Sequence, residues 1–130
     1  MGQQQLLLIV LSVIIVGIAV VIGLGLFSEG ADQANIDQVV QDVVSLGAKA
    51  QQFYMKPTAL GGGGRSFATM TIDDIGSATN RNGDTYAITA QDATSCEITG
   101  TCSSAKDGDG AAVTVVGAVT AVDVTTTIND

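Results

Sequence analysis

Cys96 and Cys102 are the most reactive side chains in the sequence, and they flank the pentapeptide EITGT. That spacing suggests a tight hairpin closed by a disulfide, a pairing suited to an oxidising exterior compartment. So short a closed loop would contribute roughly 2 kcal/mol on the chain-entropy model. Two free thiols or a metal-binding pair are the alternatives; with no His and no second Cys pair, a zinc site lacks ligands. Carboxylates pair at Asp73 and Asp74, and again at Asp107 and Asp109 in the glycine-punctuated stretch KDGDG. Asp107 and Asp109 are weak candidates for calcium, because a calcium loop needs further oxygen ligands and a bidentate Glu. An ordinary acidic turn is the favoured reading. Residues 61–64 (GGGG) run into Arg65 and Ser66 without the Walker spacing or a lysine before the serine, so a flexible connection is expected rather than a phosphate loop. Without His, a Ser or Cys nucleophile lacks its commonest base. No catalytic residue, cofactor or enzymatic activity is expected.

The elements that carry these residues fall into two contrasting parts. Residues 6–27 (LLLIVLSVIIVGIAVVIGLGLF) hold no charge and no proline, and Ser12 is their one polar side chain. As a helix the run would span about 33 Å, matching the ~30 Å hydrocarbon core of a bilayer. It is longer than a signal peptide's apolar region and no Lys or Arg precedes it, so it is expected to be retained. A plain anchor would carry flanking positive charge; its absence here suggests that orientation is set by a short leader removed beforehand. Beyond Phe27, Ile36, Val39, Val40, Val43, Leu46, Ala50 and Phe53 recur at three- and four-residue steps. One helix from about Gln3 to Tyr54 is therefore expected, apolar all round over 1–27 and amphipathic over 28–56, ending before Pro57.

Residues 57–66 form the glycine-rich connection, and 67–130 read as a β head. Strand-like stretches lie at 67–71, 84–90 and 95–99, with a last block over 111–128. Residues 80–83 (NRNG) and Gly100 supply turns, and Gly117 separates two strands or marks a bulge. The expected fold class is α+β: a long N-terminal helix followed by a small antiparallel meander.

The chain carries 13 acidic against 5 basic residues, a formal charge of −8. Net repulsion of phosphate disfavours a direct nucleic-acid partner. Three Phe, two Tyr and no Trp are too few for a stacked conducting chain. Gly17, Gly23 and Gly25 each weaken a helix by about 1 kcal/mol relative to alanine, and small residues in an apolar helix mark close helix contacts. The segment between them is expected to loosen once helices assemble.

An uncharged apolar helix, an amphipathic continuation and a small β head together resemble type IV pilins and the related pseudopilins of type II secretion. The likeness is most specific in QLLLIVLSVIIVGIAVV from Gln5. It implies a filament subunit that waits in the cytoplasmic membrane and assembles into an extracellular fibre on the cell surface. Its partners would be identical copies, membrane lipid before assembly, an inner-membrane assembly machinery and a prepilin peptidase. Met1, Gln5, Leu6, Leu7, Leu8, Ile9, Val10, Val13, Ile14 and Gly17 would form the assembly surface, with a methylated mature N-terminus at Met1 or, after cleavage following Gly2, at Gln3. Gln5 falls where the family usually has a glutamate, and Gly23 and Gly25 stand in for its mid-helix proline. Archaeal pilins and archaellins share this helix logic. A pseudopilin, or an anchored surface-binding module that does not polymerise, are the competing functions.

Overall fold

A computed structural model of the protein describes residues 2–130. The first element is a single helix, α1, Gly2–Met55, 54 residues long. A short helix α2 (Ile72–Ile75) follows, then four strands: β1 (Thr85–Gln91), β2 (Ser95–Lys106), β3 (Ala112–Thr120) and β4 (Val124–Asn129). The strands form one antiparallel sheet in the order β1-β2-β3-β4, so the α+β meander read from the sequence is what forms. Two compact units divide the chain, Met1–Asp32 and Gln33–Asp130. The part of α1 from Gln33 onward thus belongs to the same unit as the sheet.

Within the second unit, α1 buries Asn35, Val39, Val43, Leu46, Gly47, Ala50 and Phe53, the 3.6-residue stripe expected of a helix lying on a sheet. Facing it are alternate residues of β2 and β3: Cys96, Ile98, Gly100 and Cys102, then Val113, Val115, Gly117 and Val119. The glycines set how closely the layers approach. A Cβ at Gly100 would stand 2.6 Å from Val39 Cγ1, and one at Gly117 would stand 2.5 Å from Val43 Cγ1. On the helix side, a Cβ at Gly47 would meet Val124 Cγ1 at 2.8 Å. Gly100 is therefore no turn and Gly117 no strand boundary; both sit inside continuous strands, Gly117 paired with Ile98 and Thr126. The β3–β4 turn falls instead at residues 121–123. Valine on a helix has essentially one χ1 rotamer, so Val43 cannot swing clear of an added methyl. Gly117→Ala should destabilise the unit by about 1–3 kcal/mol, read as a lower denaturation midpoint with an unchanged m-value.

The glycine-rich segment is built, not slack. α1 ends at Met55 ahead of Pro57, and a 3-10 turn spans Thr58–Leu60. The chain then folds back so that the Gly63 N–H donates to Phe53 O (2.9 Å), Gly64 N–H to Lys56 O (3.0 Å) and Arg65 N–H to Tyr54 O (2.7 Å). These donors satisfy carbonyls that the end of a helix leaves open. Gly61 and Gly64 adopt positive φ, and Cβ atoms at Gly62 and Gly63 would run into the Lys56 and Ser66 carbonyl oxygens. A flexible connection was the sequence expectation; an amide-donating cap is the finding.

Residues 67–71 are likewise not a strand. Phe67 and Met70 are buried on a turn closed by Met70 N–H to Phe67 O (3.1 Å), and Phe67 stacks on Tyr54 with centroids 4.7 Å apart. They plug the core beside the helix end. The Asp73 and Asp74 pair opens α2, where Asp74 Oδ2 accepts the Thr71 N–H at 2.8 Å in a capping box. That backbone bond, with the Thr71 hydroxyl, holds the Asp74 carboxyl below its ordinary range.

Candidate functional site: an uncovered apolar helix and a polar clasp

From Leu6 to Phe27 every large apolar side chain on α1 is more than half exposed; Leu11 and Ile14, the least so, are at 53%. Of the assembly candidates, Gln5, Leu6, Leu7, Leu8, Ile9, Val10, Val13, Ile14 and Gly17 are exposed, while Met1 falls outside the described residues. They do not share one face. Apolar groups point in every direction, so no single helix partner could cover them, and each buried methylene would contribute about 0.8 kcal/mol. The Ser12 hydroxyl donates to Leu8 O at 2.7 Å, which removes the run's one polar side chain from the demand for water. α1 is long and apolar enough to cross a membrane. Nothing lies within 4 Å of a Cβ placed at Gly17, Gly23 or Gly25, and the helix is unbroken through all three in the single chain.

The second unit holds a polar cluster that links α1 to the sheet. Asp84 is fully buried just before β1. Its Oδ1 accepts the Asn35 side-chain amide (2.9 Å) and the Ser103 N–H (2.7 Å), and its Oδ2 accepts the Asn80 amide (2.7 Å). Asn35 Oδ1 in turn accepts the N–H groups of Ser104 and Ala105 at 3.3 and 3.2 Å. Nearer the surface, Asp42 Oδ2 accepts the Tyr86 hydroxyl and the Asn80 amide. Among the described residues no buried side-chain nitrogen or oxygen lacks a partner. Burial pushes the Asp84 carboxyl upward, but the bonds from Asn35, Asn80 and Ser103 together outweigh it and hold the group below its ordinary value. The Tyr86 hydroxyl is pushed well up, first by burial and then by the carboxylates of Asp42 and Asp84. The cluster clasps α1 to the sheet.

Asn35 and Asp84 were not legible as a pair in the sequence. The available signal was that Asn35 lies four residues before Val39 on the buried stripe, a polar residue in a core position.

The disulfide is overturned. Cys96 and Cys102 lie on the same strand, β2, both buried and both free. Six positions along a strand separate their Cα atoms by about 20 Å, against less than 7 Å for a disulfide. EITGT is the middle of a strand, not a hairpin. Burial, with the charge of Asp92, raises the Cys96 thiol to about 11, and burial with Asp84 raises Cys102. Reduction should leave the intact mass unchanged. Alkylation should be slow in native protein and should add two labels after denaturation.

Asp107 and Asp109 sit in the β2–β3 turn. Asp107 Oδ1 accepts the N–H groups of Asp109 (3.0 Å) and Ala111 (2.9 Å), which accounts for the carboxylate as a turn former. Among the described residues no three His, Cys, Asp or Glu side chains gather as a metal site would require.

Comparison with family models, with curated proteins and with solved structures finds no match to this chain.

Proposed function

We propose that the chain is a structural subunit of an extracellular type IV pilus-like filament, polymerising through the apolar half of α1. The carrying observation is the all-round exposure of residues 6–27. A helix that is apolar on every side must be covered by lipid or by copies of itself, and contacts between copies that do not close into a ring build a helical fibre. Before assembly the same helix would rest in the cytoplasmic membrane. The assembly machinery, the prepilin peptidase and the methylated terminus belong to this proposal through the resemblance alone, as does the loosening of α1 between Gly17 and Gly25 in the fibre. Electron microscopy of material sheared from cells tests it: long uniform fibres containing this chain are expected, whereas chain that stays with the membrane as monomer would replace the filament with an anchored binding module.

A further inference from the structure

The two edges of the sheet are treated differently. The outer edge of β1 is blunted: Thr79 bridges Thr85, the Tyr86 N–H donates to Ala78 O at 2.8 Å, a bulge interrupts the strand between Ile88 and Ala90, and the Gln91 amide reaches across to Ala68 O. Among the described residues β4 has no such device. Its sequence VTTTIN carries no charge and no proline, it pairs with β3 without a bulge, and residues 125–129 are exposed. An unprotected edge offers a row of unpaired backbone N–H and C=O groups to another strand.

We infer that the β4 edge is an interface between two copies of this chain, in which β4 pairs antiparallel with β4 of the second copy about a two-fold axis through Thr126. The register follows from the side chains. Val124, Thr126 and Ile128 stand opposite Val119, Gly117 and Val115 on the helix-facing side of the sheet, while Thr125, Thr127 and Asn129 lie on the other side. Placing Thr126 against its own copy sets Val124 opposite Ile128 and Thr125 opposite Thr127, so apolar meets apolar and hydroxyl meets hydroxyl on continuous faces. No charged residue falls within the paired strands, so no like charges meet across the ladder. A slip of one residue would join opposite faces of the two sheets. The contact is isologous and uses no residue of the apolar helix; its axis, normal to the sheet, runs residues 33–55 of α1 in opposite directions in the two copies, so it joins copies by a different operation from that of a fibre.

Cysteine scanning of the full chain in detergent, under mild oxidation, tests the register. Thr126→Cys should link to itself as a dimer, since residues directly opposite on antiparallel strands lie within disulfide reach. Thr125→Cys and Thr127→Cys should each stay monomeric alone but link when mixed. Adding Thr126→Lys to both members of that mixture sets two ammonium groups face to face and should lower the dimer yield about fivefold, with the melting midpoint showing that the variant still folds. A Thr126→Cys chain that stays monomeric, or one that links to an Ile88→Cys chain in preference to itself, would overturn the inference. The wild-type chain is the control, as Cys96 and Cys102 are buried.

Discussion

Ile14→Asp is expected to abolish filaments while leaving the second unit folded. Ile14 lies mid-run with apolar neighbours on every side of the helix. A carboxylate there must enter either lipid or a water-free bundle, at a cost of about 3 kcal/mol or more. If each subunit contact carries that penalty, its equilibrium constant falls by more than a hundredfold, and a polymer multiplies the loss along its length. Sheared fractions should then contain no fibres. Ile14→Leu, which keeps volume and polarity, should assemble normally. Because Gln33–Asp130 forms its own compact unit, the sheet's circular-dichroism signal and the denaturation midpoint of that unit should not move. A normal fibre yield from Ile14→Asp would remove the apolar helix as the assembly core.

Asp84→Ala should be the most damaging substitution in the second unit. It takes the acceptor from the Asn35 amide and the Ser103 N–H at a fully buried position, and from the Asn80 amide one of the acceptors it shares with Asp42 and Tyr86. Breaking a buried charged cluster by removing one member costs about 3–5 kcal/mol. For a unit of this size 1 kcal/mol is worth about 4–8 °C, so the midpoint should fall by more than about 12 °C. The pH dependence supplies a second readout. The folded-state value of Asp84 lies below its unfolded one, so its contribution is fully present above the unfolded carboxyl value of about 3.9. It is lost as pH falls through the folded value. Wild-type stability should therefore drop below about pH 4, and Asp84→Ala should lack that part of the acid slope. An unchanged midpoint would mean that the clasp contributes nothing.

The parts of the fold that local physics decides were legible. Pro57 and the stripe from Val39 to Phe53 located the end and the buried face of α1, and the block over 111–128 holds most of β3 and β4, with their boundary at 121–123 rather than at Gly117. What misled were residues whose type is set by tertiary contact. Gly100 and Gly117 read as punctuation, yet their lack of a Cβ answers to Val39 and Val43 on a helix more than fifty residues away in sequence. Spacing misled in the same way at Cys96 and Cys102, because the five residues between them continue one strand instead of turning back. Phe67 and Met70 carried strand-like residue types but close the core from a turn. Of the candidate site, the exposed run was plain from composition, whereas the clasp required knowing that Asn35 and Asp84, 49 positions apart, meet.

The meander also governs how quickly the second unit can form. Each strand pairs with its neighbour in sequence, across connections at residues 92–94, 107–111 and 121–123. The entropy of closing a loop grows with its length, so three short closures build the sheet by successive hairpins, each on the order of microseconds. Such local pairing favours fast formation of the sheet. For a chain with an uncovered apolar segment at its start, a head that folds promptly shortens the interval in which apolar helix and unpaired strands are exposed together.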